Sequence, residues 1–103
     1  MDMRTLMIQD TLKKREETHG DYVEVSRIIR DLVDIMEYSK NWNDLYPFQK
    51  DALYLIAVKI ARMLEGDYTA TEHPHDIAGY ATLMEVLLDR FAPKVSDPVL
   101  NND

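Results

Sequence analysis

The chain has no cysteine, three glycines, four prolines and one tryptophan in 103 residues. Without cysteine there are no disulfides, no thiolate metal sites and no thiol nucleophile, and nothing points to an oxidising compartment. No apolar run reaches the roughly 18 residues that a membrane span requires. The first ten residues, MDMRTLMIQD, lack the apolar core of a signal peptide, so the expectation is a cytoplasmic protein with no membrane partner. No segment alternates with a period of two over five or more positions, which leaves no strand to build a sheet. A glycine-rich phosphate loop and a G-x-S-x-G turn are missing as well. An enzyme of this sequence would have to work through carboxylates and a metal-bound water.

What the chain does hold is charge, and apolar residues in helical register. Its composition, 46% hydrophobic and 30% charged, is that of an ordinary globular protein. The length suits one domain, expected over residues 1–92, with a loose tail over 93–103. A net charge of −7 works against any partner with a phosphate backbone, so no nucleic-acid polymer is expected. A single nucleotide remains compatible with that charge, because two local cations, or carboxylates acting through a divalent metal, suffice to hold it.

The third of four helical segments organises the rest. From Ala52 to Leu64 nearly every residue is apolar, and at 100° per residue these side chains cover about two-thirds of the circumference. Asp51, Lys59, Arg62 and Glu65 fall together in a stripe of roughly 120°, which must face either water or a pocket. Before it, residues 2–18 predict a first helix with a narrow apolar stripe of Met3, Leu6 and Met7, stopped by Gly20 as a left-handed cap. From Asp21 to about Asn41, Tyr22, Val25, Ile28, Ile29, Leu32, Val33, Ile35 and Met36 recur at three- and four-residue intervals, opposite Arg27, Arg30, Asp31, Asp34 and Glu37. NWNDLYP breaks that helix, with Trp42 and Tyr46 as core or interface anchors and Pro47 at the first position of the third. After Gly66, residues 67–73 read as a polar loop. Pro74 then opens a fourth helix to about Phe91, with Ile77, Tyr80, Ala81, Met84, Leu87 and Leu88 on its apolar face. The fold class is therefore all-α, an antiparallel bundle of about four helices. A polar first helix and an over-apolar third predict that a homo-oligomer completes the core.

Several side chains could carry chemistry, and each has a plainer role beside it. Asp21 and Glu24 stand three apart at a helix start, where they can share a magnesium ion or simply cap the helix. Asp76 lies in the first turn of the fourth helix at the edge of its apolar face, so it needs a partner; Lys59 or Arg62 is the natural one. Gly79 interrupts a good helix at roughly 1 kcal/mol relative to alanine, either for close packing or to leave room for a ligand. His73 and His75 are two apart and face different directions, which does not favour a histidine metal site. His19 is placed to contact a phosphate or base, or to close the turn.

Thr18-His19-Gly20-Asp21-Tyr22, Lys59-Ile60-Ala61-Arg62, Gly66-Asp67 and Asp76-Ile77-Ala78-Gly79-Tyr80 together resemble a pattern of small phage and prophage proteins linked to the MazG-like all-α nucleoside triphosphate pyrophosphohydrolases. The resemblance covers roughly residues 13–90. In that superfamily, glutamates of a Glu-Glu-x-x-Glu motif and a later Glu-x-x-Asp motif bind magnesium, whose water acts on the α-phosphate and releases pyrophosphate. The resemblance implies that Asp21, Glu24 and Asp76 hold Mg2+ as the catalytic set, that Lys59 and Arg62 face the phosphates, and that His19 and Tyr80 line the pocket. Two departures weaken the catalytic implication. Glu72 stands four residues before Asp76, across Pro74 and outside the expected helix, and Glu16 and Glu17 precede the Gly20 break. Three readings follow: a magnesium-dependent pyrophosphohydrolase acting on a nucleoside triphosphate or modified nucleotide, a protein that sequesters a nucleotide or signalling dinucleotide without turnover, and a helical interaction module whose charged stripe is an ion-pair network.

Overall fold

The computed structural model of the chain describes residues 2–93. Apart from Pro93, the tail expected over 93–103 lies outside the described residues. Four helices follow in order: α1 (Met3–His19), α2 (Tyr22–Glu37), α3 (Pro47–Glu65) and α4 (Glu72–Phe91), with a single 3-10 turn, Trp42–Asp44, between α2 and α3. Among the described residues there is no strand, and the chain is all-α as its periodicity requires.

Local signals set most of the helix starts. Asp2 accepts a hydrogen bond from the Thr5 amide at 2.8 Å and caps α1. Asp21 accepts from the Val23 amide at 3.0 Å and caps α2. At α3 the Gln49 side-chain oxygen accepts from the Tyr46 amide at 3.0 Å, with Pro47 filling the first helical position. The loop before α3 is fastened by Tyr46 stacked on Phe48, ring centroids 5.3 Å apart, and by the Lys50 ammonium 5.4 Å from the Trp42 ring.

Two boundaries differ from the sequence expectation. α2 ends at Glu37, short of Asn41, where the Ser39 hydroxyl donates to the Ile35 carbonyl at 3.0 Å and the chain tightens into the 3-10 turn. α4 begins at Glu72, two residues ahead of Pro74. A proline at the third position removes an amide that has no intrahelical acceptor, so the helix can start before it without loss. Glu72 thereby joins the same helix as Asp76.

α3 is the central element. α2 and α4 each pack against it and not appreciably against each other, while α1 leans on α2 and α3. Val25 and Val33 of α2 and Ala52, Ala57 and Ala61 of α3 are buried. Alanines at these positions let neighbouring helices approach closely, but they leave a thin core. Among the described residues the largest fully enclosed side chain is not aliphatic at all; it is His73. No residue of α1 is buried.

Candidate functional site

The site is built on a clasp between two chain reversals. Thr18, His19 and Gly20 end α1, and they lie against Glu65, Gly66 and Asp67 at the end of α3. The Asp67 amide donates to the Thr18 carbonyl at 3.0 Å. Gly20 stops α1 as expected, but with φ +90° and ψ 174° it is extended with positive φ, a glycine conformation distinct from the left-handed helical cap, and a Cβ there would come within 2.7 Å of the Glu65 Cβ. A Cβ on Gly66 would press on the Thr18 carbonyl oxygen and approach the Gly20 nitrogen to 2.7 Å. The glycines at 20 and 66 therefore serve one structure, the contact of two backbones without side chains between them.

The clasp delivers His19 to the start of α4. Its Nε2 stands 3.7 Å from Glu72 Oε1, and its ring centroid is 5.4 Å from that of His73. His73 is fully enclosed, and its Nε2 lies 3.3 Å from the same Thr18 carbonyl. Burial lowers the pKa of His19 and Arg62 pushes in the same direction; Glu72 pulls the other way, with Arg15 and His73 adding smaller downward effects. The imidazole is thus biased toward its neutral form. Nδ1 of His19 and Nδ1 of His73 are both buried without a hydrogen-bond partner.

On its other side His19 borders a groove of about 750 Å³ between α1, α2 and α3. Val25, Ile29, Tyr54, Leu55 and Val58 supply its apolar surface, and Leu12 closes it from α1. Arg15, Arg30 and Arg62 come into it from three different helices, with Glu16 and Asp21 as its carboxylates. Among the described residues none of the three guanidinium groups forms a salt bridge, whereas Lys14, Arg27 and Lys59 each do.

The charged stripe of α3 is consequently divided. Arg62 faces the groove, while Lys59, only 9% exposed, turns toward α4 and pairs with Asp76 at 2.8 Å. That hydrogen bond holds the Asp76 carboxyl below the usual carboxylate range. Asp51 and Glu65 remain exposed. The ion-pair explanation thus accounts for Lys59 and the pocket explanation for Arg62.

Of the residues singled out from the sequence, His19, Asp21 and Arg62 come together in the groove. Glu24 pairs with Arg27 at 3.2 Å on its own helix. Asp76 and Lys59 meet each other, and Tyr80 is half-buried on α4 without lining the groove. Asp21, Glu24 and Asp76 do not gather around a common point. Among the described residues the histidines and carboxylates close enough to share an ion are His19, Glu72 and His73 instead. The three acids therefore do not fit the shared magnesium ion that the resemblance implies. Gly79 does not serve close packing, since a Cβ there would meet nothing within 4 Å, and it does not line the groove.

Sequence reasoning did not single out Arg15, and it placed Arg30 on the polar face of its helix, where it is indeed exposed while also lining the groove; it read Glu72 and His73 as loop. The signal for the last pair was Glu-His-Pro, since proline is accepted anywhere in a helix's first turn. No known protein family, no curated protein and no solved structure matches this chain.

Proposed function

We propose that this chain is a binding protein for a small phosphorylated ligand of the nucleotide class, held in the groove between α1, α2 and α3. The observation that carries this reading is the convergence of Arg15, Arg30 and Arg62, without salt-bridge partners among the described residues, on a cleft with an apolar floor. Guanidinium groups match phosphate oxygens in a two-pronged geometry, and three of them outweigh Glu16 and Asp21. The volume, about 750 Å³, lies within the range of small-molecule sites. Tyr54 and the largely exposed Tyr22 offer aromatic faces to a base.

Binding without turnover is favoured over hydrolysis because Asp76 pairs with Lys59 and Glu24 with Arg27, which leaves Asp21 as the one acid of the implied magnesium set that lines the groove. The test is a thermal-shift series with nucleoside mono-, di- and triphosphates and cyclic dinucleotides, with and without magnesium, alongside pyrophosphate detection. At least one compound should raise the melting temperature of the wild type and leave Arg62→Ala unmoved, with no pyrophosphate formed. Release of pyrophosphate that disappears in Asp76→Ala would replace this reading with the pyrophosphohydrolase one. A flat response across the whole panel would remove both.

The same proposal includes a homo-oligomer. Met3, Leu6, Met7, Ile8 and Leu12 of α1 are between 49% and 73% exposed, and Leu64 of α3 is 67% exposed. A second copy is the partner whose surface is apolar in the same measure.

A further inference from the structure

We propose that His19, Glu72 and His73 form a binding site for a divalent transition-metal ion of the zinc class. One ligand atom from each residue lies within 4.8 Å of the others. The 3.7 Å between His19 Nε2 and Glu72 Oε1 is too long for a hydrogen bond. It is close to the roughly 3.4 Å that separates two ligands at 2.0–2.2 Å from one tetrahedral zinc. A nitrogen and a carboxylate oxygen held at that spacing are set for a shared ion, not for each other.

The buried imidazole of His73 carries the second half of the case. His73 is 0% exposed, yet its Nδ1 has no protein partner. A polar atom so enclosed is normally satisfied, and this one needs an occupant. With the Nε2–H of His73 donating to the Thr18 carbonyl, Nδ1 keeps its lone pair. A backbone carbonyl on the far ring nitrogen is the usual device that fixes tautomer and direction in a metal-binding histidine. The clasp makes the arrangement rigid, because the Thr18 carbonyl that orients His73 also accepts from Asp67.

Two imidazoles and one carboxylate suit zinc or cobalt; magnesium and calcium prefer all-oxygen shells. Three protein ligands leave a fourth position for water or another donor. The ion would join the end of α1 to the start of α4. This inference does not rest on the phosphate-binding groove: His19 borders both sites, but Glu72 and His73 do not line the groove.

The test uses the full, untagged chain stripped with chelator. Titration calorimetry with Zn2+ should show one ion per chain, and Co2+ should produce the visible absorption of a four-coordinate centre. His73→Ala risks misfolding at an enclosed position, so the deciding variants are Glu72→Gln, whose side chain is 53% exposed, and His19→Ala. With helicity unchanged, each should weaken Zn2+ binding by at least about tenfold. The exposed neighbour His75→Ala should bind as the wild type does. The inference is overturned if the wild type takes up no Zn2+ or Co2+, if Glu72→Gln and His19→Ala both retain full affinity, if His75→Ala abolishes binding, or if millimolar Mg2+ competes on equal terms.

Discussion

Replacing Gly66 with alanine drives a methyl group into the Thr18 carbonyl and the backbone at Gly20, neither of which can swing aside like a side chain. The expected loss is roughly 3 kcal/mol, at the upper end for overpacking, read as a lower urea midpoint at constant slope. Gly79→Ala is the opposite case. A Cβ there meets nothing within 4 Å, so the helix gains about 0.5–1 kcal/mol of propensity and the midpoint should rise. The role of Gly20 as the stop of α1 was readable from the sequence because a helix stop is a local pattern. The role of Gly66 was not, because a backbone contact with a residue far back in the chain leaves no periodic trace. His73 is similar: nothing around it in the sequence announces that His19 will stand beside it.

Among the elements, the pairing of α3 with α4 contains the one nearly enclosed ammonium among the described residues. Asp76→Asn strands Lys59 at 9% exposure, whereas Lys59→Met leaves a carboxylate that is 34% exposed and can recover water. The aspartate variant should therefore be the less stable of the two in thermal melts. Acid should weaken the same contact. The folded carboxyl of Asp76 titrates below its unfolded value of about 3.9, so its stabilisation is present above that value. It is lost as pH falls through the folded pKa, where the native state must take up the proton. Urea midpoints of the wild type should thus drop faster below about pH 4 than those of Asp76→Asn, and the two curves should converge in stronger acid. The existence and order of the four helices followed from spacing alone. The division of the α3 stripe did not, because Lys59 and Arg62 are only about 60° apart around the axis and only the neighbours decide which way each turns.

For the whole molecule, the proposed assembly rests on how little the described residues bury. With valines and alanines as its buried aliphatics, the chain leaves large apolar groups of α1, α3 and α4 in contact with water. Light scattering should find more than one chain per particle, and Met7→Lys combined with Leu12→Lys should yield single chains that are less stable. The thinness of the core was foreshadowed by the polar first helix and the over-apolar third. The doubly used Thr18 carbonyl gives a way to watch the molecule from one atom. Peeling the heel of α1 away exposes the Asp67 amide, so its deuterium uptake should report every opening of that joint. Zinc should slow that uptake if it locks the heel, while a ligand confined to the arginine cleft should leave it closer to its starting rate, and one amide would then tell the two sites apart.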